Sequence, residues 1–153
     1  MSKRSLRALR GASTLWATIG ACTAAIAQES PAPARLDPDK IAGLGLTAIP
    51  PDAYQEILVG GELNMRVATL FEGKELRVSI FESTPAKTDH RTRPTDVDEF
   101  VYVLSGKLIL TEPNGKRHEY LPGDSLVLPI GYTGTWEMQG NYRELVVLAQ
   151  KAD

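Results

Sequence analysis

From Tyr54 onward the chain is a train of short runs rich in β-branched and aromatic residues, each cut off by turn-forming residues. The runs are Tyr54–Val59, Met65–Phe71, Leu76–Thr84, Glu99–Leu104, Lys107–Thr111, Lys116–Tyr120, Ser125–Leu128, Gly134–Met138 and Tyr142–Ala149. Between them stand Gly60-Gly61, Glu72-Gly73, Ser105-Gly106, Pro113-Asn114-Gly115, Pro122-Gly123-Asp124 and Gly131. Runs this short and this regularly spaced, with no convincing helix, predict an all-β sandwich, barrel or jelly roll. Leu76-Arg77-Val78-Ser79-Ile80 alternates with period two, so one face is buried and the other wet. Asn114-Gly115 lies between two runs and is a strong hairpin signal, because both residues accept positive φ.

The start of the chain is different. Lys3, Arg4, Arg7 and Arg10 precede an uncharged stretch from Gly11 to Ala27 that ends Ala25-Ile26-Ala27. A basic start, a short apolar core and a small-x-small ending read as a signal peptide over 1–27, with Gln28 as the new first residue. The stretch is shorter and more polar than a membrane span of about 20 apolar residues. The expected location is periplasmic or secreted, with no membrane span in the mature chain. The alternative is a lipoprotein anchored at Cys22, since Ile19-Gly20-Ala21-Cys22 looks like a weak lipobox. Residues 28–40, with three spaced prolines, read as a flexible leader, and 41–153 as the folded domain. Ile41–Ile49 is expected to pack as an edge strand or turn. Of 17 Lys and Arg, four fall in 1–27, which leaves 13 against 19 Asp and Glu, a net charge of −6. That argues against nucleic acid as a partner. With Cys22 removed, neither a disulfide nor a thiol nucleophile is expected.

Two segments are more specific. Glu99 and Gly106 are separated by six residues; Gly123, Pro129 and Gly131 follow the spacing glycine, five residues, proline, one residue, glycine. Together they resemble the two motifs of the cupin superfamily, which implies a single-domain, jelly-roll-like cupin β-barrel. Phe81-Glu82-Ser83-Thr84-Pro85 and Gly134-Thr135-Trp136-Glu137 resemble the cupin domains of (S)-ureidoglycine aminohydrolase more narrowly. The resemblance also implies a divalent metal held by three histidines and one glutamate. Carried over by position, the histidines fall on Arg93, Thr95 and Gly134, and only Glu99 keeps its ligand type. His90 precedes the first motif and could fold over the barrel mouth to meet Glu99; His118, among charged hairpin residues, reads as a solvated histidine. One carboxylate and at most one imidazole fall short of three protein ligands, so no metal by the usual arrangement and no cofactor are expected. His90 with Glu99 in a non-standard site stays open.

Glu99, Tyr102, Tyr132, Trp136 and His90 are therefore the candidates for a ligand pocket. A carboxylate pointing into a barrel either holds a proton or pairs with a cation such as Arg91 or Arg93. The aromatic residues offer apolar bodies with polar tips, and core packing is their other reading. Glu82 and Glu137 read as exposed acids. Three functions remain open: a small-molecule-binding or non-catalytic exported cupin, an aminohydrolase-like enzyme acting on a small nitrogenous or carbohydrate-like molecule, and a structural homodimer.

Overall fold

A computed structural model of the chain describes residues 32–150. The expected signal peptide and Cys22 lie outside the described residues. From Pro33 onward the chain forms one compact unit. A helical turn α1 (Pro38–Ile41) occupies the end of the expected leader. It is followed by strands β1 (Thr47–Ala48), β2 (Leu58–Gly61), β3 (Met65–Glu72), β4 (Leu76–Ser83), β5 (Ala86–Asp89), β6 (Glu99–Thr111), β7 (Arg117–Tyr120), β8 (Ser125–Leu128) and β9 (Thr135–Ala149).

The architecture turns on two long strands. β6 and β9 pair antiparallel along their whole lengths, from Glu99↔Leu148 to Thr111↔Thr135. On one half of this pair, β4, β3 and β1 extend the sheet beyond β9, and β8 extends it beyond β6. On the other half, β5 and β2 lie beyond β9, and β7 lies beyond β6. The two halves face one another across a core that includes Val101, Val103, Leu108, Leu128, Tyr142 and Val146, each at most 6% exposed. This is the all-β jelly-roll barrel expected of a single cupin domain.

The sequence divided each long strand in two, at Ser105-Gly106 and before Tyr142. In the structure neither position is a turn. The β6–β9 register shifts between Val103 and Ser105 and again between Ser105 and Lys107. Gly106 has φ +72° and Gly140, on β9, φ +68°. A Cβ on Gly140 would come within 3.7 Å of the Gly106 Cα, so the two strands cross backbone against backbone. Bulges at glycine bend a strand without ending its pairing, and here they carry each strand from one half of the barrel to the other. Asn114-Gly115 does make the expected hairpin: the Gly115 N–H donates to the Glu112 carbonyl at 2.9 Å, and Asn114 Oδ1 accepts from the Lys116 N–H at 2.8 Å.

The segment expected as strand Tyr54–Val59 is mostly helical. Turns of 3₁₀ helix span Pro51–Ala53 and Gln55–Ile57, and only from Leu58 does the chain extend. Pro51 opens the first turn, where its fixed φ suits helix and its missing N–H costs nothing. Three residues complete a 3₁₀ turn, so Tyr54 and Ile57 share one side, and both are buried in the core. β5, too polar to read as a strand, buries Ala86 and Thr88 in alternation with Lys87 and Asp89. The segment expected as an edge strand or turn supplies β1, which pairs with β3 of its own chain.

Glu82, read as exposed, is paired. Arg66, Glu82 and Arg143 face one another across β3, β4 and β9, and both guanidinium groups bond the Glu82 carboxylate, Arg143 Nη2 at 2.7 Å. Partial burial opposes ionisation of Glu82, but the two guanidiniums hold its carboxyl below the usual range. Gly43 lies flat against Arg143, where a Cβ would meet Nη2 at 2.3 Å. The N-terminal segment is thereby seated on the outside of the barrel.

Candidate ligand cavity in the barrel

Alternation along β6 sends Glu99, Val101 and Val103 inward and Phe100 and Tyr102 outward. The same alternation on β9 sends Tyr142, Glu144, Val146 and Leu148 inward. Glu99 and Glu144 thus open into one interior cavity of about 230 Å³, whose wall also includes Phe81, Thr88, His90, Trp136, Met138 and Tyr142. The register pairs Glu99 with Leu148, Val101 with Val146 and Val103 with Glu144. Four residues of strand therefore separate the levels of the two acids, roughly 13 Å along the backbone. Glu144 lies deep, and Glu99 lies at the mouth. Glu99 also lines a vestibule of about 230 Å³ bounded by Tyr54, Arg93, Thr95 and Asp96.

Neither acid has an ordinary environment. Burial, reinforced by the charge of Asp96, raises the Glu99 carboxyl to about 7. Burial raises Glu144 to about 7 as well; a hydrogen bond from the Tyr142 hydroxyl to its Oε2 opposes this, and the charge of Glu99 adds to it. The Tyr142 hydroxyl is itself pushed up by burial and by the Glu144 charge. His90 follows β5, and its N–H donates to the Gly134 carbonyl at 2.7 Å. Its ring stacks on Trp136 with centroids 4.8 Å apart, and Nε2 lies 3.1 Å from the Thr88 hydroxyl. Burial lowers the His90 pKa, so the imidazole is neutral at pH 7. Among the described residues, the buried Trp136 indole N–H has no acceptor. The wall of the cavity carries, among the described residues, two acids, a neutral histidine and a tyrosine, and no Lys or Arg.

Of the five candidates read from the sequence, the structure brings Glu99, His90 and Trp136 to this cavity and separates the other two. Tyr102 faces outward from β6, 39% exposed, opposite Ser125 and Leu145. Tyr132 lies in the loop after β8 and lines a second hollow of about 430 Å³ with Glu112, His118 and Tyr120. His118, read as solvated, is largely covered, and its Nε2 lies 2.6 Å from Glu112 Oε1. That hollow is larger, but its acid and histidine already pair with each other and its wall includes Val127, 64% exposed. The inner cavity holds the acids without countercharge, so the site is placed there. Tyr142 and Glu144 escaped the sequence reading. Their signal was the alternation Tyr142, Glu144, Val146, Leu148, but Arg143, Leu145 and Val147 alternate equally well, and nothing local says which set points inward.

The metal site that the motif resemblance implies can be tested against these residues. Arg93 reaches outward, its Nη1 donating to the Ala53 carbonyl at 2.9 Å and to Glu56 at 3.2 Å. The Thr95 hydroxyl donates to the Pro129 carbonyl at 2.8 Å. Gly134 has no side chain, and a Cβ there would meet the Thr111 carbonyl oxygen at 2.4 Å. Among the described residues no group of three or more His, Cys, Asp or Glu is placed to hold a metal ion. The donor set does not fit a three-histidine, one-glutamate centre.

Barrel, corner glycines and motif frame together define a single-domain cupin fold. Residues 71–144 match the model of the EutQ-like cupin domain. A protein of unknown function from Pseudomonas syringae pv. tomato superposes with a TM-score of 0.59 at 26% identity, over 67% of this chain and 43% of that one. This chain therefore corresponds to less than half the length of that relative. The Clostridium difficile EutQ protein gives a TM-score of 0.55 at 16% identity, covering 72% and 83% of the two chains. The polyketide cyclase RemF from Streptomyces resistomycificus gives 0.50 at 22%, covering 70% and 75%. At these identities the last two show the fold alone. No curated protein matches the chain.

Proposed function

We propose that this chain is a small-molecule-binding cupin that takes a small polar ligand between Glu99 and Glu144, without a metal held in the usual cupin arrangement. The observation that carries this reading is that the buried Glu144 and the half-buried Glu99 open into one cavity, on whose wall the described residues place no Lys or Arg. Acids are kept in such places at a cost to the fold, and ligand binding is a reason to keep them. The leading basic and apolar residues support export of the mature chain from Gln28, as a periplasmic or secreted protein. Phe71, Phe100 and Val127, exposed on the outer face of the larger half-sheet, support a homodimer through that face, since a two-fold interface uses one patch on both copies.

The test is a fragment screen followed by ¹H–¹⁵N spectra of the labelled protein. Hits should move the resonances of Thr88, Trp136, Met138 and Tyr142 together. Shifts centred on Leu126 and Tyr132, or no hits, would contradict the proposal.

A second reading is supported by Glu99 itself. A carboxyl raised to about 7 at a cavity mouth, near a neutral His90, is suited to moving a proton at neutral pH. This favours an enzyme acting on a small nitrogenous or carbohydrate-like molecule, and the aminohydrolase-type motifs contribute Phe81 and Trp136 to the cavity wall. If turnover is found, Glu99→Gln should lower kcat by 100-fold or more. Undiminished kcat would remove Glu99 from the reaction.

A further inference from the structure

We infer that the ligand of this cavity is a small organic ammonium ion, its charge placed against the carboxyl groups of Glu99 and Glu144. The inference rests on the cavity being the binding site. Two features point to this class. First, the cavity presents carboxyl groups at its mouth and at its depth, and among the described residues no Lys or Arg lines it. A ligand cation supplies the missing countercharge, which a neutral or anionic molecule does not. Second, Phe81, Trp136 and Tyr142 line the same cavity as the acids, and aromatic faces attract organic cations. The cavity volume of about 230 Å³ restricts the class to small ions.

Binding of this kind is coupled to pH. The titratable groups facing the cavity are Glu99 from β6, Glu144 and Tyr142 from β9, and His90 after β5; Arg93 and Asp96 face the vestibule. With Glu99 and Glu144 each at about 7, a cation displaces protons that the carboxyls hold at neutral pH. Affinity therefore rises from pH 6 to pH 8, and binding at pH 7 releases protons.

The experiment uses the full chain and three molecules of similar length: 3-methoxypropylammonium, 3-methoxypropan-1-ol and 3-methoxypropanoate. Binding is followed at the Trp136 indole N–H resonance, and proton release by calorimetry in two buffers of different ionisation enthalpy. The ammonium ion is expected to bind at least tenfold more tightly than either of the others, with tighter binding at pH 8 than at pH 6. Glu144→Gln is expected to reduce its affinity at least tenfold, and Glu99→Gln checks the second acid if the first variant fails to fold. Equal or tighter binding of the alcohol or the carboxylate would overturn the ammonium assignment and leave the cavity reading standing. If none of the three moves the Trp136 resonance, both fall.

Discussion

Glu144 is 5% exposed, and the group bonded to its carboxyl is the Tyr142 hydroxyl. In the unfolded chain this acid titrates near the ordinary glutamate value; in the fold, burial carries it to about 7. The folded protein thus binds more protons than the unfolded one between about pH 4.5 and 7, and stability falls as pH rises through that window. Glu99 adds to the loss in the same direction. Glu144→Gln keeps an oxygen for Tyr142 and removes the charge. The variant should match the native protein near pH 4.5 and exceed its stability at pH 8 by about 1–3 kcal/mol in urea unfolding. An equal loss at both pH values would show that Glu144 is not raised. Tyr142→Phe removes the donor instead, leaves the carboxyl buried without its bond, and should cost about 1–3 kcal/mol at pH 8.

The barrel's shape depends on glycines of unequal consequence. At Gly106, φ is +72° and a Cβ would stand 2.6 Å from the Gln139 carbonyl oxygen and 2.7 Å from the Tyr142 Cα. At Gly123, φ is +96° but the space around a Cβ is open to 4 Å. Gly123→Ala should therefore cost about 1 kcal/mol, the strain of a left-handed residue. Gly106→Ala adds a backbone clash at the β6–β9 crossing and should cost at least about 2 kcal/mol more. Equal losses in thermal unfolding would mean that the crossing yields. Both glycines were legible as backbone corners, and the superfamily frame was legible through their spacing. Their mechanical roles were not: a glycine that turns a hairpin and one that bulges a continuous strand look alike locally, because the distinction lies in the partner strand. For the same reason the halves of β6 and β9 read as four strands. β5 was invisible because its burial comes from Ala86 and Thr88, small side chains that carry little hydrophobic signal.

At the scale of the whole molecule, the jelly roll keeps its motif frame but not the ligand set that the motifs imply. Glu99 was readable as an inward acid from its motif position, and His90 as a loop residue near the mouth. Glu144 required the pairing of Val103 with Glu144, a contact between residues 41 positions apart. Export adds an expectation for the intact chain: intact-mass analysis of protein recovered from a bacterial periplasm should give a chain beginning at Gln28, and an uncut or lipid-modified chain would contradict it. The cavity is tested most directly by its protons. Side-chain carboxyl ¹³C resonances should be followed from pH 3 to 9, with Glu99→Gln and Glu144→Gln used for assignment. Two glutamates titrating near pH 7, each lost in its own variant, are the expected result. Titration of every glutamate at pH 4–5 would mean that the barrel does not bury these acids, and the proposed site would fail with them.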